Sequence, residues 1–407
     1  MIATPSSRIL RLGAVGLLVL PVWLAAASQA ATATCLGKKA TIIGTEQADQ
    51  IEGTDAVDVI LALDGADVVD GLGGNDLICG GDGRDLLRGG DGNDVLSGQG
   101  GDDEATGTSV VIGVGGNPIK VTGEEGGLYG GAGNDRLLGD DGADDLHGEA
   151  GADLLLGGSD NDYLQGGAGD DRMLGESGDD SLYGESGNDV IDSGAGNNYI
   201  SAGDGNNRVL ARDGNDDIYT GNGDDTIDSG AGDDYVSAGD GRNVITVRDG
   251  DDDVYAGDGN DTVDLGNGDN YASVGNGNNR VVARDGNDDV YSGNGDDVIL
   301  VGGGNNYVSA SNGVNTIVAR DGDDDIYTGS AADTIEAGAG DNYVSAGNGN
   351  NNVRALGGSD DLYTGSGNDR ISAGAGDDFI SAGSGSDYVD GGLGNDDCNG
   401  AEDARDC

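Results

Sequence analysis

Cations and aromatic rings are scarce in this chain. Its 407 residues hold 19 Lys and Arg against 77 Asp and Glu, a formal net charge of −58, with one His, one Trp, one Phe and three Pro. So acidic a surface excludes a nucleic-acid partner, whose phosphates demand cationic contacts. An anionic membrane face repels it for the same reason. A single His excludes an H-E-x-x-H metalloprotease, and neither a G-x-S-x-G elbow nor a P-loop is present. Aromatics at 4% leave little bulk for one globular core.

What the chain does have is glycine, 84 residues of it, at a fixed period. From Gly130 to Asn399 it divides into thirty consecutive nonapeptides, the first being Gly130-Gly131-Ala132-Gly133-Asn134-Asp135-Arg136-Leu137-Leu138. Position four is Gly in 28 of them, Asp160 and Ala331 being the exceptions. Position six is Asp in 21 and Asn in nine, and position eight is always apolar. Three columns sharing one period rule out a compositional accident and mark a repeat architecture. Disorder would not demand an apolar residue at every ninth place.

Each column has a physical reading. Gly at positions two and four admits positive φ, and Asn or Asp tolerates the same region while bonding to nearby backbone. Positions one to six therefore read as a turn. Positions seven to nine read as a minimal strand with one side chain inward. Turn and strand in alternation predict an all-β parallel β-roll or solenoid, right-handed as parallel connections are. Stacked strands lie about 4.8 Å apart. Two unit charges at that distance repel by roughly 3.5 kcal/mol at an effective dielectric of 20. Columns of bare Asp oppose stacking, and a divalent cation between carboxylates and turn carbonyls removes the opposition. Calcium suits such a site because it accepts six to eight oxygens in flexible geometry.

The nonapeptide resembles the RTX, or hemolysin-type, calcium-binding repeat, G-G-x-G-x-D-x-U-x with U apolar, a pattern known to form calcium-binding β-helices. Seven further nonapeptides span Gly44 to Thr106; Gly89-Gly90-Asp91-Gly92-Asn93-Asp94-Val95-Leu96-Ser97 fits the pattern at every position. The resemblance implies a roll with two nonapeptides per turn and calcium between neighbouring turns. The implied ligands are Asp76, Asp85 and Asp94, then Asp135, Asp144, Asp153, Asp162, Asp171, Asp180 and Asp189. Asp225, Asp261, Asp297, Asp369, Asp378, Asp387 and Asp396 complete the set. Gln47 and Ala56 replace Gly at position four of the first two units, which puts calcium there in doubt.

In order, residues 1–30 read as a secretory signal peptide. Arg8 and Arg11 precede an apolar run, Leu12 to Ala27, and Ser28-Gln29-Ala30 is a small-x-small cleavage site. The competing reading is a membrane anchor, which the shortness of the run and Pro21 disfavour; after cleavage no membrane span is expected. Residues 31–43 form an N-terminal cap. Residues 44–106 carry the first repeats and 107–129 an insertion, expected as a β-hairpin around Gly115-Gly116-Asn117-Pro118. Residues 130–399 carry the long array and 400–407 a tail. Export favours disulfides. Cys35, Cys79, Cys398 and Cys407 allow three pairings. Their placement near the two ends of the array favours Cys35–Cys79 and Cys398–Cys407, which would tie down the ends of a solenoid that frays.

Between Ser193 and Ser372 a second period of 36 residues appears. Two units of each set mostly carry Asn at position six (Asn198, Asn207, Asn270, Asn279, Asn306, Asn315). The other two carry Asp, and the third bears Arg at position two: Arg212, Arg248, Arg284 and Arg320. With two units per turn, Asn and Asp alternate along each edge, which lowers repulsion. One reading has the guanidiniums take the cation's place on one edge; the other has them balance an acidic surface. Tyr recurs outward at positions seven and nine, from Tyr199 and Tyr219 to Tyr343 and Tyr363, as a stripe for cross-strand support or for a polysaccharide or cell-surface partner. His147 is outward and isolated.

The function expected is that of a secreted, extracellular calcium-binding repeat protein whose folding is coupled to calcium, with a structural or interaction role and no catalysis. The alternatives are a lyase- or epimerase-like carbohydrate enzyme, or an adhesin, on the same scaffold.

Overall fold

The computed structural model describes residues 9–10, 33–100, 111–114, 117–120 and 127–407, with backbone alone at 9–10, 100, 111–114 and 117–120. All but two residues of the expected signal peptide lie outside them. The chain divides into two units, residues 1–202 and 203–407, and each is a parallel β-solenoid.

In the first unit, strands pair in parallel with the strand 18 residues on. Leu146 of Asp145–Ala150 faces Leu164 of Tyr163–Ala168, and Leu155 of Leu154–Ser159 faces Met173 of Arg172–Ser177. Eighteen residues are two nonapeptides, so each turn contributes one strand to each of two sheets. The second unit repeats the pattern, Val254 facing Ala272 on one sheet and Val263 facing Val281 on the other. Position-eight side chains stack as the core of both units, from Ile51 and Leu137 to Val236 and Val389, all essentially out of solvent.

The turns depend on backbone that side chains tolerate poorly. Gly151, at position four, has φ 155°, and a Cβ there would lie 1.4 Å from the Gly133 carbonyl oxygen of the preceding turn. The exceptions, Asp160 and Ala331, keep positive φ, 77° and 145°.

One expectation needs widening. Position eight is not the only inward position, because strand alternation continues on both sides of it. Position six faces inward before it, and position one of the next unit faces inward after it. In the second unit position one carries Ala238, Val247, Leu265 and Val274, all buried, as a second apolar column.

The insertion also ends earlier than expected. Val111–Val114 and Asn117–Lys120 pair antiparallel, with Ile112 opposite Ile119. The solenoid resumes at Gly127, not Gly130. Gly127–Ala132 pairs with Leu86–Asp91, and Leu128, fully buried, faces Leu87. Gly127-Leu128-Tyr129 is itself an x-apolar-x strand, so the signal was present in the sequence.

Both ends are fastened. Disulfides join Cys35 to Cys79 and Cys398 to Cys407. Cys35 and Cys79 are buried with Ala40 and Leu61 beneath a short antiparallel pair, Thr34–Cys35 with Lys38–Lys39. At the C-terminal end Asp403–Arg405 pairs in parallel with Tyr388–Asp390.

Candidate metal sites in the turns

Position six immediately precedes each strand, and its inward side chain makes one recurring hydrogen bond. The N–H of one sixth residue donates to Oδ1 of the sixth residue one turn on. Asp76 donates to Asp94 (2.6 Å), Asp135 to Asp153 (2.8 Å) and Asp162 to Asp180 (2.9 Å). In the second unit Asn243 donates to Asp261 (2.8 Å) and Asp261 to Asn279 (3.0 Å). The described sixth residues from Asp67 to Asp387 are at most 3% exposed.

The second carboxylate oxygen is the anomaly. Oδ2 is buried without a hydrogen-bond partner at Asp67, Asp76, Asp94, Asp135, Asp153, Asp162, Asp171 and Asp180. The same holds at Asp252, Asp261, Asp324, Asp360, Asp378 and Asp387. An unsatisfied buried polar group costs about 1–3 kcal/mol, more when charged, so a column of them demands a counterion or protons. Asp85, Asp144 and Asp189 share the burial. At Asp225, Asp297 and Asp369 Oδ2 is likewise buried without a partner; the position-one hydroxyls of Thr220 and Thr364 donate instead to the carbonyls of Ala238 (2.9 Å) and Ala382 (2.8 Å). Asp396, in the last full turn, is only half-buried.

Other oxygens converge on Oδ2. A Cβ on Gly89 would lie 2.4 Å from Asp94 Oδ2 and 2.6 Å from the Gly130 carbonyl oxygen of the next turn. On Gly175 the corresponding distances are 2.3 Å to Asp180 Oδ2 and 2.4 Å to the Ser193 carbonyl oxygen. Among the described residues no three acidic, His or Cys side chains form a cluster able to hold a metal. The donor set is therefore mixed: one carboxylate per turn plus backbone carbonyls, all hard oxygens. That chemistry fits calcium.

Burial dominates the acid–base behaviour. It pushes the carboxyls of Asp67, Asp85, Asp153 and Asp252 up to about 7, against the N–H bond each accepts. Burial, reinforced by the charges of Asp180 and Asp144, takes Asp162 to about 8. Asp76, Asp94, Asp180, Asp189 and Asp261 are raised to about 6, again chiefly by burial.

Two turns satisfy themselves. Asp49 Oδ2 accepts the Thr45 N–H (2.5 Å), and Asp58 Oδ2 accepts both the N–H and the hydroxyl of Thr54 (2.8 Å each). These are the first two units, with Gln47 and Ala56 in place of Gly at position four.

Arg248 and Arg284, at position two, do not take a cation's place. Arg248 grips Asp228 through Nε and Nη2 (3.0 and 2.6 Å), and Arg284 reaches Asp264 (2.8 Å). These partners are outward position-nine residues, and the side chains of Arg248 and Arg284 stay more than half exposed. The Asp252 carboxylate in the same unit as Arg248 keeps its buried Oδ2 unsatisfied. Asp252, Asp288, Asp324 and Asp360, absent from the ligand set drawn from the sequence, thus share the geometry of Asp261. Their place in the sixth column was the available signal.

The sequence reading also missed a second ladder. Position-five Asn and Asp side chains accept the N–H of position five one turn on, as Asn134 does from Ala152 (3.0 Å) and Asp251 from Asp269 (2.8 Å). The outward rings stack as tilted pairs: Tyr235, Tyr255, Tyr271 and Tyr291 follow one another with centroids 5.4–5.5 Å apart. His147 joins the corresponding row of the first unit. It stacks on Tyr129 at 4.6 Å, with Nε2 2.7 Å from Asp145 and Nδ1 2.7 Å from Gln165. Burial would lower its pKa, but the Asp145 hydrogen bond and charge raise it overall.

Together these features define a solenoid with oxygen-lined turns. The family model described as "RTX calcium-binding nonapeptide repeat (4 copies)" matches repeatedly across residues 43–109 and 129–398, which is most of the chain. The chain belongs to that family. No curated protein matches it. Among solved structures it is similar to a hyperactive, Ca2+-dependent, beta-helical antifreeze protein from an Antarctic bacterium, at 16% identity and a TM-score of 0.22. That match covers 79% of this chain and 83% of the other. So distant a likeness says nothing of what this chain does. Among the described residues no helix is long and apolar enough to cross a membrane.

Proposed function

We propose that this is a secreted calcium-binding repeat protein whose ordering is coupled to calcium, with a structural or interaction role and no catalysis. One observation carries the reading: a buried carboxylate oxygen without a partner, repeated turn after turn beside backbone carbonyls. A bound calcium would supply the countercharge these columns lack. The chain's own part is to hold the oxygens. In the first unit Gly at position one leaves room for Oδ2, and in both units the N–H bond to Oδ1 fixes the rotation of the carboxylate. The ligands proposed are the described sixth-column Asp residues from Asp67 to Asp189, then Asp225, Asp261, Asp297, Asp369, Asp378, Asp387 and Asp396, joined by Asp252, Asp288, Asp324, Asp333 and Asp360. Export supports the coupling, since the exterior is where calcium is abundant.

The test is a calcium titration of the chain lacking residues 1–30, followed by far-UV circular dichroism. Strand signal should rise with calcium and fall on chelation. Full strand signal in chelator at neutral pH would end the coupling claim, and calorimetry without calcium uptake at millimolar levels would end the binding claim.

A further inference from the structure

The second unit alternates Asn and Asp at position six. One column reads Asn207, Asp225, Asn243, Asp261, Asn279, Asp297, Asn315, Asp333, Asn351, Asp369. Oδ1 plays the same role in both residue types, accepting the N–H one turn back. The other side-chain atom does not. Where Asp leaves Oδ2 buried and unsatisfied, as at Asp261 and Asp324, Asn turns an amide donor onto turn carbonyls, of its own turn or the next. Asn243 Nδ2 donates to the carbonyls of Gly239 (3.1 Å) and Ala256 (3.0 Å). Asn279 reaches Val274 (3.1 Å), and Asn315 reaches Ser311 and Gly313 (3.2 Å each).

On the opposite column the amide spans two turns. Asn270 Nδ2 donates to the Gly268 carbonyl and to Asp288 Oδ1 (2.9 Å each). Asn306 does so to Gly304 (3.0 Å) and Asp324 (2.9 Å), and Asn342 to Gly340 (2.9 Å) and Asp360 (2.8 Å). A neutral donor thereby links a turn carbonyl to the carboxylate of the next turn, the link otherwise required of a cation. The Thr54 hydroxyl and N–H quench Asp58 in the same sense.

From this we propose that the Asn turns of residues 203–372 are closed by their own amides and hold no cation, so that calcium is confined to the Asp turns, every second turn along the column from Asn207 to Asp369. The proposal rests on the calcium reading above and specifies it: amide and cation are interchangeable closures of one turn. Cations in that column then stand two turns apart, about 9.6 Å from the strand spacing, close to a Debye length at physiological ionic strength.

The experiment counts calcium bound per full chain, after equilibrium dialysis against millimolar calcium, for three proteins. These are the parent, a variant with Asn207, Asn243, Asn279, Asn315 and Asn351 all changed to Asp, and a variant with Asp225, Asp261, Asp297, Asp333 and Asp369 all changed to Asn. The first variant should gain about five ions and the second lose about five, one per exchanged turn. The second should also reach half-maximal strand signal at lower calcium than the parent. Should the first variant not fold, the loss and the shifted midpoint in the second decide. Unchanged counts in a folded variant would overturn the proposal while leaving calcium binding intact. No calcium in the parent would overturn the function reading itself.

Discussion

The N–H of Asp94 donates to Oδ1 of Asp135 at 2.6 Å, although 41 residues separate them in sequence rather than the usual 18. The column thus continues across residues 95–135 in the same register, and Leu128 completes the rung beside Leu87. Excising residues 104–126, the 23 residues by which the spacing exceeds 18, should therefore leave calcium binding and thermal stability nearly unchanged, while Leu128→Ala should cost about 2–5 kcal/mol. Thermal melts in saturating calcium separate the two outcomes.

The carboxylate at Asp261 has two duties, and two substitutions separate them. Asp261→Asn keeps an acceptor for the Asn243 N–H, whereas Asp261→Ala leaves that buried donor unpaired. Relative to Asn, Ala should cost a further 1–3 kcal/mol, roughly. Chemical denaturation in saturating calcium measures it, and equal stabilities would contradict the ladder.

Acid should favour the metal-free solenoid. Burial lifts Asp67, Asp85, Asp153 and Asp252 to about 7 and Asp162 to about 8 in the folded chain, above the ordinary 3.8. A raised carboxyl binds more protons folded than unfolded. Its contribution is thus complete below about pH 4 and is lost as pH rises through 6 to 8. In chelator, strand signal should grow as pH falls from 8 to 5. In saturating calcium it should stay flat over that range, and calcium uptake near pH 7 should release protons. A chelated chain that loses strand on mild acidification would contradict the buried-carboxyl account.

The disulfides should matter unequally. Cys35–Cys79 closes a separation of 44 residues and Cys398–Cys407 one of nine. Chain entropy predicts about 4 kcal/mol for the first and about 2.5 kcal/mol for the second. Paired Cys→Ser variants should show faster amide exchange in the end turns, more so at Cys35 and Cys79.

The tilted Tyr rings contact one another across neighbouring strands. Tyr255→Ala removes two ring contacts, to Tyr235 and Tyr271, each 5.5 Å between centroids. The loss should be about 1–3 kcal/mol, with the calcium count unaltered.

Much of this was legible in advance because a repeat advertises itself. Leu137, Val236 and Val344 could be read as inward from their spacing, and Asp94 and Asp153 as one column from the period. Two features were not. Arg248 looked like a rival to the cation, and only the fold shows it turned outward to Asp228. Glu402 in the tail followed no repeat, yet its Oε2 accepts the Asp387 N–H at 2.8 Å, where the column runs out of Asp.

Period, apolar rung and acidic column were decided by the order of residues alone, since each is a local pattern repeated without interruption. Where each carboxylate oxygen ends up was decided only by stacking. Oδ1 and Oδ2 are chemically alike until the next turn offers an N–H to one and a ring of carbonyls to the other. That difference belongs to the contact between turns, 18 residues apart, and no single nonapeptide contains it.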